Sequence, residues 1–228
     1  MRRFALVAVL TWVGLIAPSS VQAVIIGLPP DSGGNCFPFG CAIEGALSDR
    51  YQQVYDSGEF AGPIDIGTIN FFMTATPGGN LNSGTYTLSL STTAVAVNSL
   101  DTTDFDANLG GDNALFTVVV LGGGAAPALL SFSGTPFLYD PTLGNLLLDI
   151  QIFDIDHVGP NAFYDARNGT AMGVFSRAHN FGIGFEDYGL VTEFAETDTP
   201  IPEPSTLALV GLGLVAVRQR VRRKRQQA

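Results

Sequence analysis

The sequence predicts an all-β fold, an antiparallel β-sandwich of jelly-roll type. Between residues 24 and 200, apolar residues alternate with polar or small residues over short stretches, which is the period-2 pattern of half-buried strands. Clusters of Gly, Pro, Asn and Asp separate these stretches, as turns do. The same segment is poor in Lys, Glu and Gln, so few strong helix formers remain for a long helix.

About eight strands are expected along this segment. The clearest is residues 84–97, where Tyr86, Leu88 and Leu90 share one face and Thr and Ser residues share the other. Residues 145–153 are almost continuously apolar, which predicts a central strand. The run GGGAAP is expected to end the strand that precedes it. The other predicted strands are residues 62–75, 114–121, 128–134, 169–177, 181–186 and 188–194.

Residues 41–55 are the one stretch where a short helix is expected. Ile43, Leu47, Tyr51 and Val54 have a spacing that fits one face of a helix. A loop followed by an edge strand fits the same residues, and the pattern does not choose between the two.

The first 23 residues have the pattern of a signal peptide. Arg2 and Arg3 precede a charge-free run over residues 4–17, and small residues lead to Ala23, after which we expect signal peptidase to cleave. The alternative is an uncleaved membrane anchor or a buried helix, although the run is short for a membrane span of ~20 residues. The predicted organisation is a signal peptide (1–23), a β-sandwich domain (24–195), a linker (196–200) and a C-terminal tail (201–228).

Removing both ends leaves a strongly acidic body. Residues 24–200 contain twenty Asp and Glu residues but only Arg50, Arg167 and Arg177 as cations, a net charge of −17 against −10 for the whole chain. Such a body repels phosphate backbones, which excludes nucleic-acid binding. It remains soluble through self-repulsion and attracts divalent cations or basic partners.

The chain has two cysteines, Cys36 and Cys41, in the sequence GGNCFPFGC. An even number of cysteines in an exported protein favours a disulfide, which here would close a tight loop around Pro38 and Gly40. Zinc or redox chemistry would need further ligands or a C-x-x-C spacing, and the sequence has neither nearby.

The acidic stretch DTTDFDANLGGDN offers oxygen ligands for calcium. Asp104, Asp106, Asn108 and Asp112 suit a hard cation that takes six to eight oxygens. The stretch is not an EF-hand, because Leu109 stands where that loop needs glycine. Solvated turns capped by Asp and Asn are the alternative interpretation, and they are the commoner role of these residues.

No sequence motif indicates an enzyme. The chain lacks G-x-S-x-G, H-E-x-x-H and Gly-rich phosphate loops, and its only histidines are His157 and His179. We therefore expect no catalytic residues and no cofactor, with calcium as the one metal for which ligands exist. Glycan binding would instead use exposed aromatic residues, and the body offers Tyr51, Tyr55, Tyr139, Tyr164 and Tyr188.

The C-terminal tail has three parts. Pro202, Glu203 and Pro204 come first, a charge-free apolar run over residues 207–217 follows, and a basic cluster ends the chain: Arg218, Arg220, Arg222, Arg223, Lys224 and Arg225. This order resembles the PEP-CTERM sorting signal of exported proteins from Gram-negative, exopolysaccharide-making bacteria. The resemblance implies processing by a membrane-embedded transpeptidase, exosortase, which would recognise Pro202, Glu203 and Pro204.

The physics of the tail agrees with that role. The two prolines keep the triplet extended and accessible, and the basic cluster should hold the end of the chain on the cytoplasmic side as a topology anchor. The apolar run has eleven residues, or roughly 16 Å as a helix, against a hydrocarbon core about 30 Å thick. We therefore expect a short hydrophobic helix with only transient membrane association.

The body also resembles the exported β-sandwich domain that often precedes such tails, through TYTLSLSTTAVAVNSL, SGTPFLYDPTLGNLLLDI and GLVTEF. We expect a non-enzymatic surface or extracellular-matrix protein, a structural or adhesive component of an exopolysaccharide or biofilm layer. The alternative is a carbohydrate-binding module, with or without Ca²⁺, displayed at the cell surface. The expected partners are exosortase, signal peptidase and exopolysaccharide.

Overall fold

The computed structural model describes residues 22–27, 33–41, 48–74, 78–168, 173–180, 185–186 and 188–196. These residues form strands and two single 3₁₀ turns, Ser57–Glu59 and Phe105–Asn108, and the described part of the chain has no α-helix. In chain order the strands are β1 (Ala23–Ile26), β2 (Gly33–Asn35), β3 (Ser48–Tyr55), β4 (Ile64–Phe72), β5 (Asn80–Thr93), β6 (Ala114–Ala125), β7 (Leu129–Tyr139), β8 (Asn145–Asp156), β9 (Tyr164–Asn168), β10 (Phe175–His179), β11 (Phe185–Glu186), β12 (Tyr188–Leu190) and β13 (Thr192–Glu196).

The described strands form three antiparallel sheets. The six-stranded sheet has the order β11-β10-β3-β8-β5-β6, the four-stranded sheet β1-β13-β4-β7 and the three-stranded sheet β12-β9-β2. One apolar core joins them, with Tyr55 of the six-stranded sheet packed edge-on against Phe194 of the four-stranded sheet, their ring centroids 4.9 Å apart. The prediction of an all-β, antiparallel fold is confirmed, and the jelly-roll form stays a prediction.

The two strongest strand patterns are confirmed. Tyr86, Leu88 and Leu90 of β5 are fully buried on the core side, while Thr85 and its neighbours on the other face are partly exposed. Strand β8 lies inside the six-stranded sheet between β3 and β5, as its continuous apolar run indicates.

The helix considered for residues 41–55 is wrong where the structure describes the segment. Residues 48–55 form β3, an interior strand between β10 and β8 and not an edge strand. Tyr51 and Tyr55 point into the main core, whereas Gln52 and Val54 are buried on the opposite face. A strand buried on both faces loses the period-2 alternation, so its residues also fitted a helical spacing.

Several strand boundaries differ from those predicted. Strand β6 continues through the glycine run to Ala125, and Gly124 pairs with Leu81 of β5. Gly123 and Gly124 have φ of +73° and +81°, a conformation that glycine adopts without strain, so the run bends the strand and does not stop it. Residues 188–194 divide at Val191 into β12 and β13, which belong to different sheets. Strands β1, β2 and β9 were not predicted.

The predicted signal peptide up to residue 21 and the tail with its short hydrophobic helix lie outside the described residues. Within the described ranges, no helix has the length and apolar character needed to span a membrane.

Candidate functional site

The acidic stretch that was considered for calcium belongs to a longer segment, residues 94–113, which we call the covering loop. It lies on the outer face of the six-stranded sheet, the face that points away from the main core. Leu100 and Phe105 of the loop form a second apolar cluster with Val54, Leu147 and Ala178 of the sheet. Leu100 and Phe105 therefore pack on the sheet, while the carboxylates of the loop stay exposed: Asp101, Asp104, Asp106 and Asp112.

Arg50 of β3 connects this loop to the sheet. Its Nε and Nη2 atoms donate to the two carboxylate oxygens of Asp149, at 2.8 and 3.0 Å, and its Nη1 donates to Asp106 in the loop at 2.7 Å. The guanidinium carbon also lies 5.6 Å from the ring centroid of Phe105. Desolvation by itself would lower the pKa of Arg50, but the hydrogen bonds and charges of Asp149 and Asp106 outweigh it and raise that pKa.

Asn108 forms a second connection between the covering loop and the sheet. Its side chain is buried, and its Nδ2 donates to Gln52 Oε1 and to the Asp101 carbonyl, while its Oδ1 accepts from the Asp101 N–H. Gln52 in turn donates to the Phe105 carbonyl and to Asp149 Oδ1. These buried amides have partners at both ends, as buried polar groups require.

The structure does not bring the four candidate calcium ligands together. Asp104 caps the 3₁₀ turn by accepting from the Asp106 N–H, Asp106 pairs with Arg50, and Asp112 accepts from the Thr92 N–H. Asn108 faces the sheet. The described residues contain no group of three His, Cys, Asp or Glu side chains able to hold a metal ion. Calcium binding stays a prediction, and this geometry gives it no support.

The predicted disulfide between Cys36 and Cys41 is present, with the Cα atoms 5.2 Å apart. The loop that it closes inserts Phe39 into the main core. Asn82 holds the loop from below, because its Nδ2 donates to the carbonyls of Pro38 and Cys41. The chain has no free cysteine, so a Cys–His dyad has no thiol to use.

The two histidines occupy different environments. His157 is half-buried and contacts Asn82 Oδ1 through Nδ1 at 2.9 Å, which extends the support of the disulfide loop. His179 is buried on β10, and its ring stacks on Phe37 with centroids 6.1 Å apart. Neither contact identifies a reaction.

A group of buried polar side chains lies beside the disulfide loop, and the sequence patterns did not indicate it. Asp49 Oδ2 and the Tyr164 hydroxyl are buried without a hydrogen-bond partner. The Tyr86 hydroxyl donates to the Pro38 carbonyl at 3.2 Å. Burial raises the pKa of Asp49, and burial with the nearby Asp49 charge raises that of Tyr86. Asp49 lies in a segment for which the sequence allowed a helix or a loop followed by an edge strand, so the face to which its side chain points was not predictable.

The tyrosines considered for glycan binding do not form an exposed platform. Tyr51, Tyr55, Tyr139 and Tyr164 are fully buried, because their strands place them on core faces. Tyr188 is half-buried, and the Arg177 guanidinium covers its ring at 4.7 Å. Four of the five tyrosines named for glycan binding therefore present no exposed ring face.

Ala23 is the first residue of β1 and pairs with Ala195 of β13. Cleavage after Ala23 would leave Val24–Ile26 paired with β13. The pairing is compatible with cleavage at this position, and the cleavage site stays a prediction. The sorting residues Pro202, Glu203 and Pro204 lie outside the described residues. So does the basic cluster of Arg218, Arg220, Arg222, Arg223, Lys224 and Arg225.

Comparison with known proteins identifies the tail. The family model of the PEP-CTERM protein-sorting motif matches residues 200–225. The chain therefore carries this motif, which indicates an exported protein that is membrane-anchored before exosortase processes it. No curated protein and no solved structure matches the chain, so the predicted resemblance of the body to a known exported domain is not confirmed.

Proposed function

We propose that the chain is a non-enzymatic surface or matrix protein, whose β-sandwich is a structural or adhesive component of an extracellular polymer layer. The observation that carries the proposal is the sorting motif at residues 200–225. A motif of this kind delivers a folded body to the outside of the cell, where a structural protein of the polymer layer would act.

The described body has properties that suit this location. Its disulfide is stable in an oxidising compartment, and its charge of −17 keeps it soluble by self-repulsion. The large aromatic side chains are used for packing, as in the contacts of Phe39 with Phe71 and Phe132. A domain whose large aromatic side chains serve for packing suits a mechanical or adhesive role better than it suits catalysis.

Carbohydrate binding is the competing proposal. Burial of four of the five tyrosines weakens it, because sugar recognition uses exposed aromatic faces. A glycan array probed with the mature protein, with and without EDTA, separates the two functions. Binding that EDTA abolishes would support a calcium-dependent module, and binding in neither condition would remove this alternative.

The sorting role is tested by replacing Pro202, Glu203 and Pro204 with alanine. The variant should accumulate as a larger, membrane-retained form, because exosortase would no longer recognise it. Intact mass and cell fractionation measure both properties. A matched control replaces residues 197–199, just before the motif, with alanine, and should be processed as wild type.

A triple variant with the mass and location of wild type would contradict the sorting role. The proposed matrix role has a separate readout, which is the amount of polymer retained by cells that make wild-type chain, triple variant or no chain. Equal retention in all three would contradict the matrix role even if sorting is confirmed.

A further inference from the structure

The outer face of the six-stranded sheet has a second half that the covering loop does not reach. Four large apolar side chains on this half are between 45% and 73% exposed: Leu115, Val118, Val120 and Phe153. We call these residues the open face. Exposed apolar residues scattered singly are ordinary, whereas a contiguous group marks an interaction site.

The strand register places the open face on one side of three adjacent strands, with Thr85 of β5 between Val120 of β6 and Phe153 of β8. These three side chains form a row across the sheet. Thr87 pairs with Val118 and with Gln151 in the next row. Neighbouring strands are about 5 Å apart, which brings these side chains into one flat surface.

The open face is uncharged in a strongly acidic molecule. Strands β5 and β6, which carry most of it, contain no Asp, Glu, Lys or Arg. The body as a whole carries −17. Asp154 and Asp156, exposed just after Phe153, place negative charge at the rim. Two copies of the chain therefore repel each other over most orientations, and least when these two faces meet.

We propose that the open face is the docking site for a second copy of this chain, face to face about a two-fold axis. An uncharged apolar surface is complementary to itself, which is the condition for a symmetric dimer. A basic partner would find no carboxylate on the strands β5 and β6 that carry most of the face.

The size of the open face predicts a weak dimer. A stable interface buries about 800 Å² on each partner, and the largest apolar patch of an ordinary monomer covers about 300–600 Å². The partly exposed strip of Thr85, Thr87, Ser89 and Gln151 must supply the remaining contact. The dissociation constant of such a dimer should fall as salt screens the repulsion between the acidic bodies. The dissociation constant of a complex held by ion pairs would rise with salt instead.

Sedimentation of the mature protein, purified from cells that process it, tests the proposal at low and high ionic strength. The dimer fraction should rise with salt. Val120→Asp should raise the dissociation constant at least tenfold, since the interface would have to bury one added carboxylate from each copy. Leu138→Asp is the matched control, because Leu138 is 70% exposed against 73% for Val120 but lies on the four-stranded sheet.

The Leu138→Asp variant should dimerise as wild type does, and circular dichroism should show both variants folded. A mature protein that stays monomeric at every ionic strength would overturn the proposal. So would a dimer that weakens with salt, or one that both substitutions weaken equally. None of these outcomes bears on whether the tail is processed, so self-association and sorting can fail independently.

Discussion

The two halves of the outer face of the six-stranded sheet differ in what lies over them. On the covered half, Arg50, Gln52 and Asp149 project from β3 and β8 beneath the covering loop. On the open face, Val118 and Val120 project from β6 into solvent. The covering loop of the same chain therefore packs over one half of the outer face, whereas the other half stays exposed to solvent.

Buried polar groups therefore determine which segment packs over them more strictly than apolar groups do. Asp149 is buried and charged, so it requires Arg50, and Gln52 requires the loop groups Phe105 O and Asn108 Nδ2. A valine requires no particular partner and is satisfied by any apolar surface. This is why the covered half has one defined partner, and why the open face accepts another molecule.

The largest loss of stability on the covered half is expected from Arg50→Ala. The substitution leaves Asp149, 3% exposed, without its cation, and removing one partner of a buried ion pair costs about 4 kcal/mol. Asp106→Asn is the control, because Asp106 is 75% exposed and its pair with Arg50 contributes less than about 1 kcal/mol. Denaturant unfolding measures both free energies, and equal losses would show that the burial of Asp149 does not decide the cost of losing Arg50.

A smaller effect comes from comparing one residue type on the two halves. Leu100→Ala removes a side chain that is 6% exposed beneath the loop and should cost about 2–3 kcal/mol. Leu115→Ala, at 55% exposure on the open face, should change the free energy of unfolding by no more than about 0.5 kcal/mol. Thermal unfolding at concentrations where the protein is monomeric measures both, and a Leu115 variant as unstable as the Leu100 variant would contradict the distinction.

The smallest effect is a pH dependence of the covering loop. Hydrogen bonds from the Asp104 and Thr103 N–H groups and the Thr103 hydroxyl lower the pKa of Asp101 below its usual 3.8. A lowered folded-state pKa means that the stabilisation is full above the unfolded pKa and is lost as pH falls through the folded one. The protection of amides in residues 94–113, measured as the exchange rate relative to that of an unstructured chain at the same pH, should therefore fall in acid.

Asp101→Asn should reduce that acid dependence in the covering loop. Asp140→Asn is the control, because Thr142 lowers the pKa of Asp140 in the same way in a separate turn. The control should leave exchange in residues 94–113 unchanged. Equal acid sensitivity of the loop in wild type and in the Asp101 variant would show that another group is responsible.

Local patterns in the sequence were sufficient for much of the fold. Alternation identified β5, and continuous apolar character identified β8. An even number of cysteines around a turn-like loop in an exported chain indicated the disulfide between Cys36 and Cys41. The three-part tail was also identified from its local pattern, and the match of residues 200–225 to the PEP-CTERM protein-sorting motif confirms it. Each of these signals needs only neighbours in the sequence.

The roles of β3 and of the covering loop were decided by tertiary structure. Residues 48–55 became an interior strand because β8 and β10 pair on both sides of it, and those strands lie more than ninety residues away in the sequence. The acidic stretch looked like a set of metal ligands until Arg50 and Gln52 provided partners for Asp106 and Asn108. Carboxylates and amides in a turn bind whatever lies opposite, and what lies opposite depends on how distant strands pack.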